Sequence, residues 1–281
     1  MIEINRKNSY LNKFDSIDEL VNYVTTKKRK PGRGDSSDEE DYGFYKTENF
    51  KEAVELLKYG DEELYKKISN EKSKIKIENL LGNARNRQQY YNDLSGFMPN
   101  VANYMTGNPR SMINIRKNGV SQKIINIFLN IRVAAGVRAD DVIKIGSKYL
   151  TIIDLLEKNG YRCNLYSGVA NRNSSGDRHC VMMVRVKSDR EPMNIKKLSF
   201  TLAHPSMQRR IKFRWMEVND YEYDFTCGYG QCESESYLKD MLSKELKDDF
   251  VIWNYEVDNR AITFEEITKE LKKKFNVDIT I

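Results

Sequence analysis

Hydrophobic positions first recur at helical intervals in FDSIDELVNYV, where Phe14, Ile17, Leu20, Val21 and Val24 share one face. Ser16 and Glu19 have capping-box spacing, so residues 1–26 are expected to hold an N-terminal helix. ENFKEAVELLKYG repeats the pattern with Phe50, Ala53, Val54 and Leu57, and Gly60 is placed to end that helix. DEELYKKISNEKSKIKIENLL predicts another helix of low apolar content. From residue 82 the chain is rich in Asn, Gly and Pro, with Tyr, Phe and Met spread through it. Residues 46–122 therefore read as a helical and irregular segment, ordered because its aromatics need packing partners.

The pattern becomes regular at residue 123. KIINIFLNIRVAA is a dense β-branched run that suits a strand buried on both faces. A helix is expected from Asp140 or Asp141 to about Asn159, with Val142, Ile145, Tyr149, Ile152, Ile153 and Leu156 on its buried side. YRCNLYSGV and RHCVMMVRVKS read as two strands joined by the turn NRNSSGD. MNIKKLSFTLAH predicts a helix up to Pro205, and the alternation in IKFRWMEV predicts a strand. ESYLKDMLSKEL, DFVIWN, ITFEEITKELKKKF and NVDITI follow as helix, strand, helix and strand. Residues 123–281 thus read as an α/β domain: a mostly parallel sheet with helices on both faces and one antiparallel strand at an edge.

Composition changes this picture little. The 281 residues carry 47 Lys+Arg against 41 Asp+Glu, a mild excess of +6. Residues 27–45 form a charged loop in which KKRKPGR is cancelled by the DSSDEED beside it. No apolar run is long enough to span a membrane, and MIEINRKNSY lacks the apolar stretch of a signal peptide. Four Cys in a chain of this length are no disulfide framework, so a reducing cytoplasmic setting is the expectation.

The order strand, helix, strand, hairpin resembles the von Willebrand factor A domain. In that family the first strand ends in Asp-x-Ser-x-Ser, which holds a divalent metal through oxygen ligands. Here Asn130, Arg132 and Ala134 stand at the matching positions, so the metal motif is degenerate and no metal or cofactor is expected. Arg132 would put a cation where the metal might sit, suiting an anion or a partner's carboxylate. The alternative is an unrelated doubly wound domain whose Asn130 and Arg132 merely flank a strand end. A wider resemblance, to an uncharacterised family of tailed-bacteriophage proteins, rests on Pro99-Asn100-Val101, Gly107-Asn108-Pro109, Ser111-Met112, the Gly-Tyr-Arg segment at 160–162 and the His-Pro-Ser-Met-Gln-Arg-Arg segment at 204–210. It implies a phage source and an architecture, not a mechanism. The sheet topology, the degenerate metal motif and the lack of catalytic signatures point to a non-catalytic protein-interaction module, acting in the host cytoplasm or on the virion. Its partner would be a phage or host protein, and the von Willebrand A resemblance implies an AAA-type ATPase among the candidates.

Within that reading Asn130, Arg132 and Ala134 are the first binding candidates, and Asn100, Asn108 and Arg110 the second. The alternative function is nucleic-acid binding by a basic, aromatic strip of Arg209, Arg210, Lys212, Arg214 and Trp215, aided by Arg110, Arg116, Lys117, Arg85 and Arg87. Cys227 and Cys232 have the spacing of half a zinc knuckle, with His179, Cys180 or His204 as candidates to complete it; buried free thiols are the plainer account. A Cys–His nucleophile, and a metal nuclease or hydrolase on Asp140-Asp141 or Asp248-Asp249, are weaker options. Phosphate-loop and nucleophile-elbow motifs do not occur.

Overall fold

A computed structural model describes residues 1–29, 36–74, 89–116, 124–158, 161–219 and 231–255. The chain opens on a hairpin that the helical pattern did not predict: β1 (Ile2–Arg6) and β2 (Ser9–Phe14), antiparallel. The expected helix follows as α1 (Ile17–Thr26). Ser16 caps it by accepting from the Glu19 amide at 3.2 Å, while the Glu19 carboxylate reaches back to the Asp15 amide at 2.7 Å. Next come α2 (Tyr42–Tyr45), α3 (Phe50–Tyr59) and α4 (Glu62–Lys74). Gly60 ends α3 with φ +81°, and a Cβ there would lie 2.5 Å from the Lys196 carbonyl oxygen.

Residues 89–116 are more regular than the Asn- and Gly-rich composition suggests. They form a second, antiparallel sheet from β3 (Gln89–Asp93), β4 (Met98–Pro99) and β5 (Met112–Arg116), with the short helix α5 (Val101–Met105) between β4 and β5. Among the described residues these strands pair only with one another.

Among the described residues the main sheet has seven strands. β6 (Ile124–Asn130) leads through α6 (Ala139–Lys158) to β7 (Arg162–Arg172), which turns into β8 (His179–Lys187). Then come α7 (Ile195–Ala203), a π-helix (Met207–Lys212) running into α8 (Phe213–Asn219), β9 (Gln231–Cys232), α9 (Glu235–Leu246) and β10 (Phe250–Asn254). The order is β1-β2-β8-β7-β6-β10, with β9 pairing the far end of β7. β10, β6 and β7 run parallel, β8 reverses, and β2 runs parallel to β8. The predicted helix and strand beyond residue 261 lie outside the described residues.

Two expectations change. First, β8 is interior, not an edge. Its Cys180, Met182 and Val184 face one core while Val181 and Met183 face the other, so an unpaired position would expose strand edges with apolar side chains on both faces. The N-terminal hairpin takes the place beside it, so residues 2–14 are part of this sheet. Second, residues 211–216 are helical, and Ile211 and Trp215 enter the core four apart. The larger core lies between the sheet and α1, α3, α4, α6, α7 and α8. The other face buries Phe128, Tyr166, Ala170 and Ile252 under Leu238, Met241 and Leu242 of α9. Helices thus cover both faces of a mixed sheet, as the α/β reading requires. No helix among the described residues is long and apolar enough to cross a membrane.

Candidate functional site

The parallel strands end together, and there the sheet changes partners. β6 pairs with β7 up to Asn130 opposite Gly168, and β9 then takes over opposite Asn171 and Arg172. Asn130 is buried in this handover. Its Nδ2 donates to Asn254 Oδ1 at 2.7 Å and approaches Cys232 Sγ at 3.4 Å. Its Oδ1 accepts from the Ala170 amide at 3.0 Å and from the Arg132 amide at 3.4 Å. The side chain therefore ties the ends of β6, β7, β9 and β10 together and presents no free group to a partner. Gln208 pins the next residue, accepting from the Val133 amide at 3.2 Å and donating to its carbonyl at 2.8 Å. Ala134 is half-buried and begins the turn to α6. Beyond it opens a cleft of about 460 Å³ whose walls include Lys46, Arg138, Asp140 and Arg209.

Lys212, at the end of the π-helix, reaches β7 away from that cleft's lining. Its Nζ donates to Asn171 Oδ1 at 3.2 Å. Asn171 stands between Cys180 on β8 and Cys232 on β9, directly opposite each in register, and its Nδ2 lies 3.7 Å from Cys180 Sγ. Burial, reinforced by the neighbouring Arg132 guanidinium, lowers the Lys212 pKa to about 7. Burial also lowers Arg132, and it raises the Cys232 thiol against the opposing pull of Arg132 and Lys212.

The basic strip sits inside the protein, which corrects the expectation of a solvent-facing binding face. Arg210 donates to the carbonyls of Ser37, Glu39, Thr47 and Glu48 at 2.9, 3.3, 2.8 and 3.0 Å and to Thr47 Oγ1 at 2.7 Å. Arg209 holds the Phe44 and Val137 carbonyls, each at 2.6 Å. Arg214 pairs with Asp38 at 2.6 Å, and Trp215 Nε1 donates to Asn12 Oδ1 at 2.8 Å. The arginines do stack on aromatics, but on the protein's own: Arg209 on Phe44, Arg210 on Tyr45 and Arg214 on Phe50, at 3.8, 4.2 and 4.2 Å. A buried guanidinium needs its donors satisfied, and the 36–48 segment supplies the acceptors. That segment is consequently fixed rather than a solvated loop. Glu217 completes it by accepting from the Ser37 amide and hydroxyl at 3.0 and 2.6 Å.

Asn100 and Asn108 work within the second sheet. Asn100 Oδ1 caps α5 through the Asn103 amide at 3.3 Å, and Asn108 Oδ1 accepts from the Arg110 amide at 3.0 Å. What sequence reasoning missed lies beside them. Leu94, Phe97, Met98, Val101, Tyr104 and Met105 are between 48% and 78% exposed. Their aromatic and apolar side chains were expected to find packing partners within the protein. The available signal was their density between 94 and 105, in a segment broken by Gly96 and Pro99 that offers no regular apolar face to a core.

Among the described residues the remaining catalytic candidates do not converge. His179 pairs with the Glu233 carboxylate and stacks on Tyr237 at 3.9 Å. His204 caps α7, accepts from the Ser206 amide through Nδ1 at 3.1 Å, and stacks on Phe200 at 4.8 Å. Asp140 faces Arg138 and Lys46 at 3.7 and 4.0 Å, and Asp141 faces Lys144 at 3.4 Å. Among the described residues no three His, Cys, Asp or Glu side chains gather as metal ligands. Cys227, Arg85, Arg87 and Lys117 lie outside the described residues, as does the Arg116 side chain.

A family model described as a domain of unknown function, DUF7192, matches residues 2–279. The chain belongs to that family. No curated protein matches it, and no solved structure does. The match runs through the N-terminal hairpin, both sheets and the strand-end cluster, so the family takes in every site considered above.

Proposed function

We propose that this protein is a non-catalytic protein-interaction module on a von Willebrand A-like core, acting in phage infection, with the second sheet and α5 as its contact surface. The run β6-α6-β7-β8, with β10 on the other side of β6, supports such a core. The observation that carries the interaction reading is the exposure of Leu94, Phe97, Met98, Val101, Tyr104 and Met105 within the single stretch 94–105. Soluble proteins seldom leave so many large apolar side chains together in water unless something covers them.

The rim indicates what covers them. Asn92, Asn100, Asn103 and Asn108 lie in the same stretch, where Asn100 donates to Asn92 and Asn103 to the Arg110 carbonyl, with Asp93 and Arg110 as charges of opposite sign. A neutral amide rim around an apolar centre suits a protein surface with an apolar core of its own. An anionic lipid surface would call for a basic rim instead. The methionines let the face adapt to a partner's contours.

The test replaces Leu94, Phe97, Val101 and Met105 together by Ser. A photo-crosslinker at Met98 in the otherwise natural chain should yield one stoichiometric protein adduct in infected cells. The fourfold variant should lose that protein in co-purification while keeping its thermal midpoint. Retention of the same partner would remove this surface. So would binding to protein-free vesicles, or self-association that alone accounts for the adduct.

A further inference from the structure

The cleft of about 460 Å³ lies between two stretches of chain far apart in sequence. Asp41, Gly43, Phe44 and Lys46 form one wall, and residues 135–140 form the other. The second wall is the connection from the carboxyl end of β6 to the start of α6. Open α/β sheets bind ligands outside such strand ends, and a volume of this size takes a small molecule. Arg209 spans the walls, donating from Nη1 to the Phe44 carbonyl and from Nη2 to the Val137 carbonyl, each at 2.6 Å.

Arg209 is 1% exposed and lines the cleft. Its two hydrogen bonds among the described residues go to those neutral carbonyls, so most of its five donors and its charge are left for another group. Burial lowers its pKa to about 10, and the guanidinium keeps its charge at neutral pH. Lys46 and Arg138 bring two further cations. Each approaches Asp140, at 4.0 and 3.7 Å, which is longer than a hydrogen bond, so both keep donors for a ligand. The start of α6 adds to this. Arg138 stands where Ser16, Asn49, Asn194 and Ser234 cap α1, α3, α7 and α9, and no side chain among the described residues caps α6. Its first amides belong to Ala139 and Asp140, which line the cleft. A Cβ added at Gly136 would meet nothing within 4 Å, so the backbone there is open to close approach.

Two carboxylates qualify the charge. Asp41 spends Oδ1 on the Phe44 amide at 2.9 Å. Its other oxygen and the Asp140 carboxylate would repel a second anionic group and can accept from hydroxyls. We propose that the cleft binds a small phosphorylated polyol, its phosphate held by Arg209, Lys46, Arg138 and the start of α6, its hydroxyls by Asp41 and Asp140. Donors reach the phosphate from both walls, and a tetrahedral dianion accepts along more directions than a planar carboxylate does. This site stands on the main sheet and the 36–48 segment and does not depend on the second sheet.

The experiment is isothermal titration calorimetry of the full chain at neutral pH with ribose 5-phosphate, inorganic phosphate and ribose. Ribose 5-phosphate should bind saturably, inorganic phosphate more weakly, and ribose without measurable heat. Arg138→Gln should weaken ribose 5-phosphate by about tenfold, the scale of one charge-assisted contact. The Arg138 side chain is 79% exposed, so this variant should keep the fold. Lys46→Asn should weaken binding similarly, since asparagine tolerates the left-handed φ of +59° there but carries no charge. Lys239→Gln, on α9 over the other face of the sheet, should bind as the natural chain does. No saturable heat with ribose 5-phosphate, or full affinity in Arg138→Gln, would overturn the proposal. Equal loss in Lys239→Gln would also overturn it, as would ribose or inorganic phosphate binding as tightly as ribose 5-phosphate.

Discussion

His204 shows how burial turns one side chain into a pH dependence. Burial is the main cause that lowers its pKa from 6.5 to about 4, and Asp61 only partly opposes it. Between those values the unfolded chain takes up a proton that the folded one refuses. Stability should therefore hold above pH 6.5 and fall as the pH drops toward 4, by on the order of a few kcal/mol. His204→Asn keeps an acceptor for the Ser206 amide but cannot titrate, so its urea-unfolding free energy should fall less over that range. An equal acid slope in both proteins would show that other groups set it. At the same scale, Arg209, Arg210 and Arg214 carry the opposite lesson. Their sequence signature, basic residues beside Trp215, is chemically apt for nucleic acid. Their stacking rings, Phe44, Tyr45 and Phe50, lie some 165 positions away in sequence, and no local pattern announces that distance.

Elements depend on how closely they approach. Gly146 of α6 faces α7, where an added Cβ would lie 2.4 Å from both the Ala203 Cα and the Leu202 carbonyl oxygen. Backbone, not a flexible side chain, blocks that space. Gly146→Ala should therefore cost about 1–3 kcal/mol through separation of the two helices, despite alanine's better helix propensity. A lowered chemical-denaturation midpoint with an unchanged slope would bear this out, and a neutral or stabilising result would contradict the packing. The helices α1, α3, α6, α7 and α9 were legible because each carries an apolar stripe, and for α1 and α3 the sequence also showed a cap or a terminating glycine. The 211–216 segment was not, since IKFRWMEV fits a two-residue period and a four-residue period equally. The core beneath Ile211 and Trp215, not the local alternation, selects the helix.

For the whole molecule, the second sheet is expected to be separable. Its strands pair only with one another among the described residues, and α5 buries none of its side chains. Replacing residues 89–116 by a short Gly/Ser linker should leave the near-ultraviolet circular dichroism of the main fold intact and move the thermal midpoint by no more than a few degrees. Loss of cooperative unfolding would show that the two sheets share a core.

The sequence by itself determined the α/β character, the strand–helix–strand–hairpin order from residue 124 and most helix faces, because hydrophobic period is a local property of the chain. It also singled out Asn130 and Arg132 at the end of the first parallel strand. Tertiary structure alone decided that β8 is interior beside β2, that the basic strip is buried and braces the 36–48 segment, and that Lys212 is buried against Asn171. Each of those outcomes depends on groups distant in sequence and brought together by the sheet. Burial and countercharge are properties of that neighbourhood, which no single segment encodes.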